Sequence, residues 1–257
     1  MNTSTINPNM LLMGSLSIAT AVLIWWVVST QVSPVILPSP AQTWSALERL
    51  SAQGRLFPEL AVTGQRVAMA FLLSLTAGTA LGCAIGISRR ISGFCRPLII
   101  TMQTTPPISW IILAVLWFDS SHGAPIFVVV VATFPIFVLN AIQGTQQIPG
   151  TLLEMARVFR VRRRYVIRDI AIPALWPFVS AAISICIGIS WKTIVMAELF
   201  SSQDGAGAAL SWARLQLATD EVLAWTLVIV ALGITTELLF QGLSRCTRAG
   251  RIPAWKS

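Results

Sequence analysis

Six long apolar stretches constrain the fold of this chain more than any other feature of its sequence. A helix needs roughly 20 mostly apolar residues to cross the hydrocarbon core of a bilayer. The chain is also 55% hydrophobic and only 11% charged, a composition typical of membrane proteins. We therefore predict an all-α polytopic membrane protein, with residues 1–257 forming a single transmembrane domain. The predicted spans cover approximately residues 11–29, 67–88, 97–118, 124–143, 175–200 and 222–243.

The first apolar stretch resembles a secretory signal peptide in its position but lacks the other signs of one. No Lys or Arg precedes it, and Trp25 and Trp26 stand where small residues are expected at a cleavage site. We expect a retained first span.

Basic residues are distributed unevenly between the two predicted sides of the membrane. Thirteen lie on the side of the N-terminus, whereas four lie on the other side, namely Arg49, Arg55, Arg66 and Arg214. Positively charged loops stay in the cytoplasm, so we predict that both termini are cytoplasmic. The same excess explains the net charge of +8 without a nucleic-acid partner.

The residues that most often form metal, redox or nucleotide sites show no functional spacing here. The single histidine, His122, lies in a short predicted outer turn, where one imidazole is not enough to bind a metal. No GxxxxGK[ST] phosphate loop occurs. The cysteines form no CxxC pair and are interpreted as small buried side chains. They are Cys83, Cys95, Cys186 and Cys246. We expect no metal site and no catalytic residue in this chain.

Two further patterns predict local structure. Gly78, Gly82 and Gly86 recur every four residues within an apolar span, which indicates a helix face that allows close approach of a neighbouring helix. The proline-rich segment 33–40 is not expected to be helical. After it, Trp44, Leu47 and Leu50 have the spacing of one apolar helix face, and we expect a short helix lying at the membrane interface.

The segment Glu154–Pro173 carries six arginines in a chain that is otherwise poor in charge. The residue pattern at the start of this segment predicts a short amphipathic helix beside the membrane. Such a helix can lie on lipid headgroups. An early Glu and Ala, a defined length to Ile172-Pro173 and an immediate entry into the next span favour a protein partner instead.

This arrangement resembles the cytoplasmic "EAA" loop of permease subunits of bacterial ABC importers. In that loop Glu-Ala-Ala is followed by a glycine, a basic stretch and an Ile/Leu-Pro pair. Matched in order, the positions are Glu154, Met155, Ala156, Arg160 and Ile172-Pro173. Met155 and Arg160 depart from the motif, and Arg at a glycine position leaves the local turn open, since Arg avoids positive φ.

The resemblance extends over most of the chain. Ser33–Pro40 is similar to the "SP.ilPsP" entry segment, Pro106–Trp110 to "PPlaW", and Trp191–Glu198 with Gly205–Gly207 to "W..lv.AE.....GlG". These motifs together are typical of the subgroup that imports nitrate, taurine, alkanesulfonates and related compounds, including thiamine precursors. The implied fold is that of a type I ABC importer permease in the bacterial cytoplasmic (inner) membrane.

The resemblance also implies partners. Residues 150–173 would form a coupling helix and loop seated in a groove of an ATPase subunit. The residues expected at this contact are Glu154, Met155, Ala156, Arg157, Phe159, Arg160 and Pro173. The implied assembly contains a second permease copy as a homodimer, two cytoplasmic ATPases and a periplasmic or lipid-anchored solute-binding protein, all at the lipid bilayer. The chain itself would bind no cofactor, because ATP and Mg belong to the partner ATPase.

Polar residues within the spans indicate a translocation pathway. Lys192 would cost about 3 kcal/mol at the bilayer centre unless it is paired or faces water. It either lines the pathway and attracts an anion, or has a structural role by pairing with Glu198 or Glu237 or by reaching the membrane interface. Adjacent prolines in the third span predict a kinked helix beside a wet cavity. The pathway candidates are Gln103, Thr104, Pro106, Pro107, Trp191, Lys192 and Glu198.

Two other classes of membrane protein fit less well. An ion-coupled secondary transporter working without an ATPase would show repeated halves or a coupling-ion site, and only Lys192 and Glu237 favour one. A membrane enzyme would need a convergent acid/base or metal set, which one His and scattered carboxylates do not supply. We expect a permease subunit that forms half of the pathway for a small solute, favouring an anion such as nitrate, taurine or alkanesulfonate.

Overall fold

The structure is a computed structural model that describes residues 8–118 and 122–249. These residues form helices, with no strand among them. The helices are α1 (Pro8–Gln31), α2 (Pro40–Ala52), α3 (Leu56–Gly86), α4 (Arg89–Thr104), α5 (Pro107–Trp117), α6 (Gly123–Gln146), α7 (Gly150–Val158), α8 (Arg163–Val166), α9 (Ile172–Ser201), α10 (Ala206–Leu215) and α11 (Thr219–Ala249). A π-helical turn, Ile167–Ala171, joins α8 to α9.

Four stretches of the described chain are helical, long and apolar enough to cross a membrane. They are Leu56–Gly86, Gly123–Gln146, Arg163–Ser201 and Thr219–Ser244. The bent pair formed by α4 and α5 makes a fifth crossing if it counts as one span, and α1 contributes a shorter apolar stretch, Leu16–Gln31. The prediction of an all-α polytopic protein is confirmed.

The third predicted span, residues 97–118, is not one helix. It divides into α4 and α5, whose axes differ by 88°. Pro106 and Pro107 have no backbone N–H to donate, and a residue before a proline avoids the helical region. Thr105 accordingly has extended backbone angles, with φ −66° and ψ 129°. The expected proline kink is therefore a complete break in the helix.

Helix α6 lies at the centre of the bundle. Of its most apolar 18 residues 61% are buried, compared with 17–28% in the other three candidate spans. Helices α3 and α9 pack on it along most of their lengths, and α4 and α5 cover a third side. The outward faces of α3, α9 and α11 carry exposed apolar side chains, as expected where a helix meets lipid or another subunit.

The glycine stripe of α3 packs directly against α6, as predicted. A Cβ at Gly78 would lie 2.8 Å from the Cβ of Phe137, and a Cβ at Gly86 would lie 2.7 Å from the Cβ of Thr145. At Gly82 an added Cβ would lie 2.6 Å from the Cβ of Ala141. Only glycine permits this approach of the two backbones.

Helix α2 does not bury the single apolar face expected from Trp44, Leu47 and Leu50. The segment before it is non-helical, and Ser39 caps the helix through a capping box with Gln42. Leu50 is fully buried in a core cluster with Trp225 of α11 and residues of α10, whereas Trp44 is 63% exposed. Helix α2 is thus a packed part of the bundle. We call this end of the molecule the α2 end, and the opposite end the α7 end.

We expect Gly82→Ala to lower the free energy of unfolding by about 1–3 kcal/mol, because an overpacked contact must push α3 and α6 apart. Gly64→Ala is the matched control, since no atom lies within 4 Å of its added Cβ. That variant should be neutral, or more stable by up to about 1 kcal/mol through helix propensity. Denaturant titration of the purified proteins measures both. Equal stability of the two variants would contradict the proposed packing.

Candidate functional site

Helix α7 presents most of its surface to solvent. Ala156 is its buried residue, at 8% exposure, and it holds the helix on the rest of the loop. Glu154, Met155 and Arg157 are exposed, and Phe159 at the C-terminal end is 73% exposed. Such a large exposed aromatic next to charged residues is typical of a binding surface.

The turn after α7 shows how Arg160 replaces the glycine of the motif. Arg160 has φ +50°, in the left-handed region that glycine normally occupies. The backbone N–H of Val161 donates to the Ala156 carbonyl at 2.9 Å, and that of Arg160 donates to the Arg157 carbonyl at 3.1 Å. These two bonds form a Schellman motif. The turn of the family is therefore kept, with an arginine in a strained conformation.

The segment from α7 to the π-helical turn has two adjacent cavities of different character. One, of about 280 Å³, is mainly apolar and is lined by Met155, Phe159 and Tyr165 among others. The second, of about 490 Å³, is basic and is lined by Arg157, Arg160 and Arg163. None of these three arginines forms an ion pair within residues 8–118 and 122–249. The surface can accept an apolar side chain beside an acidic one.

Pro173 lies in the first turn of α9 and is exposed. It follows the π-helical turn directly. From Arg163 to Ser201 the chain is one continuous helical stretch of 39 residues. The predicted coupling residues thus adjoin a helix that runs from the α7 end to the α2 end.

The break between α4 and α5 brings together some of the predicted pathway residues. A cavity of about 200 Å³ lies at this break and is lined by Gln103, Thr105, Pro107 and Trp110, with Thr193 from α9 opposite them. Gln103 and Pro107 were predicted for the pathway, whereas Thr193 was not. Of the other pathway candidates in this segment, Thr104 and Pro106 are exposed beside the break.

Lys192 is exposed and forms no ion pair with any residue of the described chain. The expected structural partners are occupied elsewhere: Glu198 pairs with Arg66, and Glu237 accepts hydrogen bonds from Ser184 and Gln241. An exposed cation within a candidate span is costly in lipid. This placement favours a position at a subunit interface or beside water.

Trp191 and Glu198, two of the predicted pathway residues, lie in packed surroundings. Trp191 is 8% exposed in a cluster between α3, α6 and α9, and its Nε1 donates to Thr236 at 3.0 Å. Glu198 is fully buried, so its carboxylate contacts protein groups and not an open path. Both residues hold helices together in this structure.

A buried ion pair connects α3 and α9 near the α2 end. The Arg66 guanidinium contacts a Glu198 oxygen at 2.7 Å and an Asp204 oxygen at 2.6 Å. Thr63 and the Gly207 N–H donate to the other Glu198 oxygen at 2.8 Å and 3.0 Å. Every oxygen of the buried carboxylate is therefore satisfied.

Gly205 lies against the Arg66–Glu198 ion pair, where there is no space for a larger residue. Its φ is +97°, and an added Cβ would lie 2.6–2.7 Å from the carboxylate atoms of Glu198. Its backbone N–H donates to Glu59 at 2.5 Å. The glycine noted in the sequence motif thus allows the loop before α10 to close over the ion pair.

Arg66 is the main residue that sequence reasoning placed wrongly. It was counted with the outer loops because the predicted span began at Val67. In the structure it lies ten residues inside α3 and is 2% exposed. The available signal was the apolar run Leu60–Val62 on its N-terminal side, which lengthens the helix beyond Arg66.

Comparison with known proteins assigns the chain to a protein family. Residues 74–248 match the family described as "Binding-protein-dependent transport system inner membrane component". The chain belongs to this family, and it is a multi-pass permease subunit of a binding-protein-dependent ABC transporter in the inner membrane.

Several relatives align with most of the chain. It is 28% identical to the taurine transport system permease protein TauC of Escherichia coli (strain K12), over 89% of this chain and 86% of the relative. It is 29% identical to the putative aliphatic sulfonates transport permease protein SsuC of Bacillus subtilis (strain 168), over 90% and 85%. It is 32% identical to the nitrate import permease protein NrtB of Leptolyngbya laminosa, over 72% and 65%. The resemblance to this subgroup is confirmed, and nothing favours an ion-coupled secondary transporter.

We expect Glu198→Leu and Arg66→Met each to lower the free energy of unfolding by about 3–5 kcal/mol, because each leaves a buried charge without its main partner. The double variant should lose clearly less than the sum, since neither fully buried charge remains and Asp204, which also loses Arg66, is 43% exposed. Denaturant titration of the four proteins completes the double-mutant cycle. Additive losses would show that the two charges do not interact.

We expect Arg160→Gly to stabilise the turn after α7 by up to about 1 kcal/mol, because glycine adopts positive φ without strain. Arg157→Gly removes the same side chain from a helical position and should destabilise α7 by about 1 kcal/mol. Hydrogen exchange of the Val161 amide, which closes the turn, measures the effect. Faster exchange in Arg160→Gly than in wild type would contradict the assignment.

Proposed function

We propose that this chain is half of the translocation pathway of an ATP-driven importer for a small solute with an anionic group, such as the sulfonate of taurine, an alkanesulfonate or nitrate. The assembly would contain two copies of this chain, two cytoplasmic ATPases and a periplasmic or lipid-anchored solute-binding protein. ATP and Mg would bind in the ATPases, with no cofactor held by this chain. Both termini and α7 would face the cytoplasm.

The exposed surface of α7 is the observation that carries the ATP-driven part of this proposal. Phe159 and Met155 are solvent-exposed apolar side chains beside a cavity large enough for a partner side chain. The nearby arginines lack acidic partners within the described chain. A water-soluble protein groove with apolar and acidic groups would satisfy both features.

The continuous helix from Arg163 to Ser201 suggests how motion at α7 would reach the pathway. At 1.5 Å per residue, its 39 residues extend about 58 Å. It begins in the basic loop, passes the cavity at Thr193 and ends beside the buried pair of Glu198 with Arg66. A tilt of this helix about the ion pair would change the width of the cavity.

The choice of an anion as cargo is supported by Lys192. It is an exposed cation in a candidate span and has no carboxylate partner among the described residues. A charge held at this depth attracts an oppositely charged solute. The names of the taurine, sulfonate and nitrate permeases agree with such a cargo.

We expect Glu154→Lys to reduce the amount of ATPase that co-purifies with the tagged permease by about tenfold, because Glu154 is the exposed acidic residue of α7 and would face a basic group of the partner, which a lysine would repel. Glu48→Lys on α2 is the control, since it makes the same change at the opposite end. Co-purification and ATP hydrolysis by the reconstituted complex measure the effect. If wild type retains no ATPase, or if both variants retain it equally, the coupling role of α7 is wrong.

A further inference from the structure

The cavity at the α4–α5 break lies between α4, α5, α6 and α9. Gln103 and Thr105 come from the end of α4 and the break, Trp110 from α5, and Thr193 from α9, while α6 supplies an apolar wall. Its volume of about 200 Å³ exceeds that of a single water, which occupies about 30 Å³ in the liquid. A small solute can therefore enter it.

The indole N–H of Trp110 has no acceptor in this structure. Its Nε1 is buried and makes no hydrogen bond within the described chain. An indole N–H is a donor only, and a buried donor without an acceptor is costly. The rest of the side chain is well anchored, because its ring packs edge to face on Phe127 with centroids 6.4 Å apart. The Trp110 side chain lines the cavity, so a solute in this cavity is the candidate acceptor for its N–H.

The other polar side chains of the cavity add uncommitted donors. Thr193 is 8% exposed, and its hydroxyl makes no hydrogen bond to residues 8–118 or 122–249, whereas Thr133 and Thr236 bond back to their own helices. The Gln103 amide is likewise unbonded within the described chain. Thr105 differs, because its hydroxyl donates to the Thr101 carbonyl at 2.8 Å.

The charge around the cavity favours an anion. None of the described residues that line it is a carboxylate. Lys192 directly precedes Thr193 on α9, is exposed, and has no ion pair in the described chain. Uncommitted N–H and O–H donors in a cavity without a carboxylate in its lining are suited to the oxygens of an anion.

We propose that this cavity is an oxyanion subsite within the permease, in which Trp110, Thr193 and Gln103 donate hydrogen bonds to the sulfonate or nitrate oxygens of the solute. Lys192 precedes Thr193 in the sequence and lies on the exposed side of α9. The proposal rests on the proposed function and assigns its cargo to one point of the pathway.

The test is direct anion binding by the permease–ATPase complex in lipid nanodiscs, without the solute-binding protein. Equilibrium dialysis with radiolabelled taurine, competed by ethanesulfonate or nitrate, gives the dissociation constants. We expect Trp110→Phe, which keeps the ring but removes the N–H, to weaken binding by about tenfold or more. Thr193→Val, which removes the hydroxyl at nearly constant volume, should act similarly.

Matched controls separate the subsite from general effects on the helix. Trp117→Phe makes the same change at the C-terminal end of α5. The Trp117 ring is 60% exposed and also packs on Phe127, so this variant should leave binding unchanged. Thr235→Val serves the same purpose for Thr193→Val, at an exposed position on α11. Size-exclusion profiles identify any variant that is not folded.

Each outcome has one meaning. Selective weakening by Trp110→Phe and Thr193→Val supports the subsite. If the wild type binds none of the three anions but imports one of them with its solute-binding protein and ATP, the subsite is wrong and the proposed function stands. Equal binding of neutral ethanesulfonamide would overturn the anion assignment. Absence of any ATP-dependent import would overturn the proposed function, while the binding assay would still decide the subsite.

Discussion

Satisfaction of backbone hydrogen bonds in lipid is the constraint on which the rest of this structure depends. A chain that crosses a bilayer must pair every N–H and C=O within itself, so its spans are helices. The break at Thr105–Pro107 is tolerated because α6 and α9 cover it on the protein side. Irregular backbone at such a depth is found where protein or a wet cavity surrounds it. The site of the broken helix and the site of the cavity therefore have one cause.

The bundle combines a close-packed centre with a buried ion pair near one end. Gly78, Gly82 and Gly86 bring α3 and α6 together by removing side chains. Arg66 and Glu198 then connect α3 to α9 by charge. A buried ion pair adds little net stability compared with apolar packing, but loss of one partner is severe, so the pair specifies which helices meet. It also provides α9 with a fixed end opposite the basic loop.

The basic loop shows how a family motif can survive a substitution that seems incompatible with it. Arg160 keeps the left-handed turn of a glycine, closed by the hydrogen bonds of Val161 and Arg160. A non-glycine residue at positive φ is strained, and strain of this kind is common at functional positions. The guanidinium gained there lines the same cavity as Arg157 and Arg163. The strain thus accompanies a local increase in positive charge.

The sequence by itself determined the class of fold, the glycine stripe and the segment that forms α7, because hydrophobic length, spacing and charge are properties of the chain read in order. Only the tertiary structure decided the partners of polar residues inside the spans. Arg66 and Glu198 are 132 residues apart, and no local pattern shows that they meet. For the same reason the sequence did not identify Thr193 as a residue that lines the cavity at the α4–α5 break. Which buried donors have acceptors depends on the distances between helices, and these exist only after the helices have packed.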